Sequence, residues 1–306
     1  MKSNLISIVI ASYNHSDYIL DTLESALILQ EDINCEIIIV DDFSSDDTIK
    51  IVKSYLNVNN HIDKVNIITK SSNVGLVNSL NIGLNHSNGE FIYFIGSDDI
   101  IIPSGLINLL NKIKSDNSTV AYIGNGFLYY GKNDEKKTIY KNEHKKFFSL
   151  SDNQIRKDIF CNYPQPLLLQ TSIFRTKELK KISWDESIRL DDYPIFIRLM
   201  LKYSLEKGEI KFFESIYVAK YRQHPNNLHK NLSLILSMLE ECLNAYSPKP
   251  NLKHNLVFLY AFYFLIGLRS LELKFSLLTL SKALKNNPVF FIGSVIRIIY
   301  KKIGKQ

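Results

Sequence analysis

The first hundred residues alternate between short apolar runs and segments with helical character, and this alternation restricts the fold more than any other feature of the sequence. Four runs are typical of buried strands: Ile6–Ala11, Glu36–Val40, Val65–Thr69 and Phe91–Ile95. Three segments between them are predicted as helices: Asp17–Leu29, Thr48–Leu56 and Leu76–His86. Strands that alternate with helices form crossover units on a parallel sheet, so this half predicts an α/β, Rossmann-like architecture.

The second half predicts further strands and then only helices. Expected strands are Val120–Tyr130, Lys137–Tyr140, Thr171–Phe174, Ile210–Phe213 and Tyr217–Tyr221, with a hairpin turn around Gly131–Glu135 and a helix over Tyr193–Tyr203. They complete a mixed, mostly parallel sheet flanked by helices. After Pro225 the pattern is helical, with Pro248, Pro250 and Pro288 as breaks. The sequence therefore predicts a sheet domain over residues 1–228 and a helical C-terminal extension over residues 229–306.

Two pairs of aspartates follow predicted strands directly. Asp41-Asp42 come after Glu36–Val40, and Asp98-Asp99 come after Phe91–Ile95. Open α/β sheets bind ligands at the carboxyl ends of their parallel strands, so both pairs are expected over one crevice. A capping-box spacing from Ser44 to Asp47 places the next helix start beyond Asp41-Asp42. Four carboxylates in one crevice require a cation or hydrogen-bond donors.

Charge and cysteine content exclude several classes of protein. The net charge of +6 is concentrated from Arg269 onward, where eight Lys or Arg face one acid, Glu272. The rest of the chain is near neutral, which argues against a nucleic-acid-binding groove and favours attraction of the tail to an anionic membrane surface. A solvated, charged helix end is the alternative. The three cysteines lack metal-site spacing, and the N-terminus lacks a signal-peptide pattern, so a cytoplasmic location is expected.

Two segments of the tail have an amphipathic or apolar character. Leu256–Leu268 is apolar, but thirteen residues are too short to span a bilayer. Val289–Tyr300 leads into Lys301-Lys302 and resembles an interfacial helix, peripheral at the inner face of the cell membrane. Packing of these helices against the sheet domain is the alternative. The absence of a series of long apolar spans argues against a processive synthase with its own export channel.

Four motifs, in order, resemble family 2 glycosyltransferases, which have the GT-A fold. The resemblance covers about residues 4–110 and continues more weakly to about residue 230. The matching segments are Ile6–Asn14, Ile39–Thr48, Asn73–Gly75 with Asn78 and Asn81, and Gly89–Asp99. The resemblance implies a nucleoside-diphosphate sugar lying across the carboxyl ends of the strands.

The resemblance implies which residues bind the nucleotide-sugar donor. Tyr13 would flank the base beside the main chain of Ala11, and Asp42, with Asp41 near it, would accept a hydrogen bond from the base. Asp98 would lie toward the ribose, and the other residues implied in nucleotide-sugar binding are Asn78, Ser97 and Arg222. Each residue also has a purely structural alternative. The Tyr13 ring could simply be packed, the aspartates could simply close turns, and Arg222 could lie on the surface.

The resemblance also implies a divalent cation, Mn²⁺ or Mg²⁺. Asp99 and His224 would be its ligands, since oxygen ligands suit such hard cations. Gly96 stands where the family often has another aspartate, so the first carboxylate of the acidic motif is missing. The other six histidines, His15 among them, form no ligand-spaced cluster in the sequence and are predicted to be structural or solvent-facing.

A third acidic pair, Asp191-Asp192, precedes the predicted helix at Tyr193 and matches the family's base motif. Carried over, Asp192 is the catalytic base and Asp191 its neighbour, although either could simply cap that helix. The resemblance implies an inverting glycosyltransferase that transfers a sugar to a saccharide or a lipid-linked saccharide in surface polysaccharide biosynthesis. A metal-dependent sugar nucleotidyltransferase and a non-catalytic nucleotide-sugar-binding module are the alternatives.

Overall fold

The chain folds into two units, which are described separately. The computed structural model describes residues 2–131, 137–225 and 227–303. One unit comprises Met1–Ile155 and Pro164–His224, and the other comprises Arg156–Tyr163 and Pro225–Gln306. The division into domains at residue 228 stays a prediction.

A single mixed sheet forms the first unit. In the described residues it has nine strands: Lys2–Ser12 (β1), Cys35–Asp41 (β2), Val65–Thr69 (β3), Gly89–Gly96 (β4), Ile100–Ile101 (β5), Ala121–Tyr129 (β6), Lys137–Thr138 (β7), Ser172–Arg175 (β8) and Ile210–Arg222 (β9). The order is β3-β2-β1-β4-β8-β6-β9-β5, and β7 pairs with β6. The longer pairings, β1 with β2 and β4, β2 with β3, and β6 with β9, are parallel. The predicted α/β class and mostly parallel sheet are confirmed.

Eight helices of the described residues lie in or begin in the first unit: Ile19–Asp32 (α1), Thr48–Val58 (α2), Leu76–His86 (α3), Pro103–Lys114 (α4), Asn142–Phe148 (α5), Asp152–Asp158 (α6), Thr176–Leu179 (α7) and Asp192–Lys202 (α8). Four more follow in the second unit: Leu232–Tyr246 (α9), Leu252–Arg269 (α10), Leu273–Asn286 (α11) and Pro288–Ile303 (α12). The helical C-terminal region is confirmed. No helix of the described residues combines the length and apolar character needed to cross a membrane.

Both faces of the central strands are buried. On one face, Ile8 and Ile10 of β1 belong to a cluster with Leu23 of α1 and Leu109 of α4. On the other face Val9 of β1 is buried directly against Gly83 of α3. Full burial of such a side chain contributes about 1.5–3 kcal/mol. The near-continuous apolar runs in the sequence therefore reflect strands that helices cover on both sides.

The parallel crossovers bring three strand ends to one edge of the sheet. β1 lies between β2 and β4, so the strands that carry the first two acidic pairs are not direct neighbours. Ser12 pairs with Asp41 on one side, and Ala11 pairs with Gly96 on the other. Both acidic pairs therefore lie at the same edge, with the end of β1 between them.

Several local predictions need correction. The helix after β2 begins at Thr48 as predicted, but Ser44 donates hydrogen bonds to Asp41 and does not form the predicted capping box. The strands expected at Ile210–Phe213 and Tyr217–Tyr221 are one strand, β9, whose register against β6 shifts around Asn125. β7 pairs with β6 as a hairpin requires, but residues 132–136 of the predicted turn lie outside the described residues.

Candidate active site at the edge of the sheet

Asp41 closes the turn that follows β2. The side chain is buried, and its carboxylate accepts hydrogen bonds from the Ser44 main-chain N–H at 2.9 Å and from the Ser44 hydroxyl. Phe43, inside this turn, has a positive φ of 61°. The structure therefore gives Asp41 the turn-closing contacts that were the alternative for this position, and its predicted role beside the nucleotide base stays a prediction.

Asp42 binds the next loop along the sheet edge. Its carboxylate accepts hydrogen bonds from the main-chain N–H groups of Val74 at 2.9 Å and Gly75 at 2.7 Å. Lys70 Nζ lies 2.6 Å from the same carboxylate, and both side chains are buried. Gly75 has a φ of 103°, a conformation that glycine adopts without strain. The Lys70 ammonium and two main-chain N–H groups thus compensate the charge of Asp42.

The loop after β1 is fastened to the loop after β2. Asn14 has a positive φ of 52°, and its side-chain oxygen accepts a hydrogen bond from Ser45 N at 2.8 Å. The Asn14 N–H donates to Ser44 Oγ at 2.9 Å. Tyr13 lies beside this junction with 43% of its surface exposed, while Ala11 is buried and accepts a hydrogen bond from Ser97 N at 3.0 Å. An exposed ring on a fixed loop is suited to flank a planar ligand.

A second cluster gathers on the other side of β1. His224 Nε2 lies 3.0 Å from Asp98 Oδ2, and His15 Nδ1 lies 4.0 Å from Asp98 Oδ1. One potential ligand atom from each of these residues lies within 4.8 Å of the others. Burial lowers the pKa of His15, with His224 adding to this effect and the Asp98 charge opposing it. The sequence spacing gave no sign that His15 would lie in a group of residues that could hold a metal ion.

Gly96 leaves room for the carboxylate of Asp98. A Cβ atom at Gly96 would come within 2.6 Å of Asp98 Oδ1. An aspartate or any other larger residue at position 96 would therefore displace the Asp98 carboxylate. The observed position of Asp98 thus depends on the glycine at position 96.

Asp99 points into the protein and away from this cluster. Its Oδ1 accepts a hydrogen bond from the Arg222 main-chain N–H at 2.8 Å, and its Oδ2 accepts one from Gln170 Nε2 at 3.0 Å. Burial raises the pKa of Asp99 well above its usual range, and the charge of Asp98 raises it further. The role of Asp99 as a metal ligand stays a prediction, and Asp98 is the carboxylate that lies beside His224.

Arg222 holds the strand ends together. Its Nε donates to the Asp98 main-chain carbonyl at 2.6 Å, and its guanidinium pairs with Asp21 of α1 at 2.5 Å. The same guanidinium lies 5.1 Å from the centre of the Tyr18 ring. These contacts fix the end of β9, so a contact between Arg222 and a phosphate stays a prediction.

Asp191 and Asp192 lie at the start of α8. Asp192 Oδ1 accepts a hydrogen bond from Leu169 N at 2.7 Å. Burial raises the pKa of Asp192 well above its usual range, and the charges of Asp191 and then Asp99 raise it further. Burial also raises the pKa of Asp191. A carboxyl with a raised pKa is suited to act as a general base near neutral pH.

The second and third acidic pairs converge around Tyr221. Burial raises the pKa of the Tyr221 phenol, and four nearby carboxylates raise it further: Asp99, Asp192, Asp98 and Asp191. The structure thus brings together the acidic pair after β4 and the pair at the start of α8. Asp41 and Asp42 lie across β1 from this group.

Sequence reasoning missed the role of Trp184 as an anchor. The buried indole donates through Nε1 to the Asp191 carbonyl at 2.9 Å and packs edge-on against Phe94. Asn81 of α3 exchanges two hydrogen bonds with the Trp184 main chain, at 3.0 and 3.1 Å. Asn78 donates to Glu186 in the same loop at 2.9 Å, and its predicted role in binding the nucleotide sugar stays a prediction. The only sequence signal was the helical spacing of Asn78 and Asn81 beside a glycine turn.

Several known proteins resemble this chain in sequence. The sequence model of a family described as glycosyl transferase family 2 matches residues 7–176. An uncharacterized glycosyltransferase of Rickettsia typhi is 29% identical over 255 residues, which cover 79% of this chain and 71% of the relative. An Escherichia coli relative, named UDP-Glc:alpha-D-GlcNAc-diphosphoundecaprenol beta-1,3-glucosyltransferase, is 36% identical over 120 residues, 39% of this chain. This match covers 45% of the E. coli relative, and the match to a glycosyltransferase from Haemophilus influenzae covers 35% of that protein. The chain therefore spans less than half the length of either relative.

Two solved structures share the fold. S. aureus TarS in complex with UDP-GlcNAc has a TM-score of 0.61 at 19% identity, over 95% of this chain and 81% of that one. A mannosyltransferase from Pyrobaculum calidifontis in complex with GDP-Man and Mn²⁺ has a TM-score of 0.56 at 13% identity, over 97% and 87%. These likenesses confirm the predicted GT-A fold.

The raised pKa of Asp192 makes stability depend on pH. A carboxyl whose pKa is higher in the folded than in the unfolded protein destabilises the fold increasingly as pH rises from the ordinary carboxyl range to the raised pKa. Asp192→Asn removes this titration, so its stability should fall less over that range. Urea unfolding followed by fluorescence of the single tryptophan, Trp184, measures this at the site itself. Asp63→Asn, at an exposed position, is the control and should keep the wild-type profile; an unchanged profile in Asp192→Asn contradicts the expectation.

Proposed function

The chain belongs to glycosyl transferase family 2, and we propose that it is an inverting enzyme that moves a sugar from a nucleoside-diphosphate sugar to an acceptor hydroxyl. The observation that carries this proposal is that two consecutive residues bind one member of each acidic pair: Leu169 N donates to Asp192 at 2.7 Å, and Gln170 Nε2 donates to Asp99 at 3.0 Å. In the proposal, Asp98 serves the diphosphate side of the donor and Asp192 serves the acceptor. Asp98 would then help to stabilise the leaving diphosphate, and Asp192 would act as the catalytic base.

We further propose that the donor is a UDP-sugar. The E. coli relative is named for UDP-Glc, and S. aureus TarS was solved with UDP-GlcNAc. Both support uracil as the nucleobase of the donor. The exposed ring of Tyr13, beside the buried residue Ala11, is suited to contact the nucleobase. The proposal also places Asp42, and the loop at Gly75 that donates to it, beside the nucleobase. Ser97 and Arg222 would position the ribose and diphosphate through the turn after β4.

The donor groups beside β4 fit a divalent cation. Asp98 offers a carboxylate and His224 an imidazole at 3.0 Å from it, and the mannosyltransferase with the same fold was solved with Mn²⁺. Asp98 and His224 would hold Mn²⁺ or Mg²⁺. Such an ion, when bound, supplies positive charge that offsets the charge developing on the diphosphate.

Asp192 is the proposed base. It would take the proton of the acceptor hydroxyl, whose oxygen then attacks the anomeric carbon from the face opposite the diphosphate. The hydrogen bond from Leu169 N fixes one carboxylate oxygen, which leaves the other to receive the proton. Attack from the opposite face inverts the configuration at the anomeric carbon.

The variant Asp192→Asn tests this assignment. An amide cannot take the proton, so kcat should fall about 10²–10⁴-fold, the usual contribution of a positioned base. UDP should raise the melting temperature of this variant as much as that of the wild type, because the substitution leaves the proposed donor contacts in place. Asp191→Asn is the matched control and should lose less activity. Full turnover in Asp192→Asn removes this residue from the mechanism.

Trp184→Phe tests whether the indole positions the base. Phenylalanine keeps the packing against Phe94 but lacks the N–H that donates to the Asp191 carbonyl. Small displacements of a reacting group can cost up to about 100-fold in rate, so kcat should fall about 10- to 100-fold while KM for the donor stays near the wild-type value. A parallel rise in donor KM, or an unchanged kcat, would show that Trp184 does not act through Asp191.

We propose that the enzyme works on a lipid-linked saccharide in surface polysaccharide biosynthesis, at an anionic membrane surface on the cytoplasmic side. The E. coli relative is named for a diphosphoundecaprenol substrate. On α12, the exposed side chains recur at the spacing of one helical face: Val289, Ile292, Ile296 and Ile299. Arg269 and the residues after it carry eight basic groups against one acid, which matches an anionic surface.

Vesicle flotation tests the membrane proposal. The protein should float with vesicles that contain phosphatidylglycerol, less so with neutral vesicles, and less at high salt. A double variant, Ile292→Asp with Ile296→Asp, should abolish flotation because it charges the apolar face. Val58→Asp, at an exposed apolar position of α2, is the control and should float normally. Absence of the wild-type protein from the floated fraction contradicts the proposal.

A further inference from the structure

The cation site has a donor that the family resemblance did not supply. We infer that His15 is a third protein ligand, so that two imidazoles and the Asp98 carboxylate form the site and select Mn²⁺ over Mg²⁺. The inference rests on the proposed function because it concerns the cation of the same site. It extends that proposal by adding a ligand and by naming the ion.

The three residues reach one point from separate elements. His15 follows β1, Asp98 follows β4 and His224 follows β9. The two carboxylate oxygens of Asp98 are divided between the rings, with Oδ2 at 3.0 Å from His224 Nε2 and Oδ1 at 4.0 Å from His15 Nδ1. The rings of His15 and His224 lie nearly perpendicular at 82°, with centroids 6.0 Å apart. The ligand atoms within 4.8 Å are close enough for one ion to contact all three after small shifts.

Neighbouring groups hold both rings in place. The Tyr18 ring packs against His15 at 5.9 Å and stacks on His224 at 5.0 Å between centroids. The His15 main-chain N–H donates to Thr48 Oγ1 at 2.9 Å. His15 Nδ1 also bonds the buried Ser97 hydroxyl at 2.8 Å, so a cation that uses this nitrogen replaces that hydrogen bond. Ligands that surrounding groups orient in advance bind metal more tightly.

The chemistry of the donors decides which ion is preferred. Mg²⁺ takes oxygen ligands in strict octahedral geometry, whereas Mn²⁺ shares those oxygen ligands but, as a first-row transition metal, accepts imidazole nitrogen more readily. Gly96 contributes no side-chain donor, and His15 adds a second imidazole beside the Asp98 carboxylate. A site with two imidazoles and one carboxylate therefore disfavours Mg²⁺ relative to Mn²⁺.

Binding of Mn²⁺ alone to the full chain tests the inference without donor, acceptor or turnover. Electron spin-echo envelope modulation detects nitrogen nuclei bound to Mn²⁺, and the wild type should show two histidine nitrogens. His15→Ala should show one and bind Mn²⁺ at least about tenfold more weakly, in line with the loss seen when metal sites are perturbed. His86→Ala, at an exposed histidine of α3, is the control and should match the wild type.

A second variant tests the choice of ion. His15→Asn places a carboxamide oxygen within reach of the position of Nδ1, so the ratio of Mg²⁺ to Mn²⁺ dissociation constants, measured by competition, should fall toward that of an oxygen site. Melting curves confirm that both variants are folded. One histidine nitrogen in the wild type, or equal Mn²⁺ affinity in a folded His15→Ala protein, overturns the inference. Sugar transfer by the wild type in that case would leave the proposed function standing, so the two failures are distinguishable.

Discussion

The end of β1 is the point on which the site depends. β1 lies between β2 and β4. Two consecutive residues of the loop after β1 bind in opposite directions, one to the loop after β2 and the other to the turn after β4. Asn14 binds the loop after β2 through Ser45, whereas His15 binds the turn after β4 through Ser97. Because these residues are adjacent in sequence, the loop fixes the distance between the proposed base-binding side and the proposed diphosphate side. The buried apolar core of β1 supports this arrangement from beneath.

The acidic residues along this edge are compensated in two different ways. Asp41 and Asp42 are satisfied by main-chain N–H groups, a serine hydroxyl and Lys70, so they make the loops rigid. Across β1, burial and mutual repulsion raise the pKa values of Asp99 and Asp192. Carboxyl groups with raised pKa values are expected where a cation and a proton are to be bound. The side with the raised pKa values is therefore the side to which the chemistry is assigned.

The sequence allowed prediction of the elements whose pattern is local. β3 and α3 have the expected bounds, Val65–Thr69 and Leu76–His86, because apolar periodicity and a glycine turn determine them. The start of α2 at Thr48 was also predicted, but the capping box was not formed, because Ser44 donates its hydrogen bonds to Asp41. The pairing of His15 with His224 and the bond from Trp184 to Asp191 depend on contacts between distant parts of the chain. Neither has a local pattern, and a lone histidine or tryptophan looks the same in any core.

A crystal structure of the protein with a UDP-sugar and Mn²⁺ tests the account most directly. The account predicts the uracil beside Tyr13, the diphosphate and Mn²⁺ beside His15, Asp98 and His224, and the anomeric carbon facing the free oxygen of Asp192. A nucleotide bound away from the end of β1, or an anomeric carbon turned from Asp192, would contradict it.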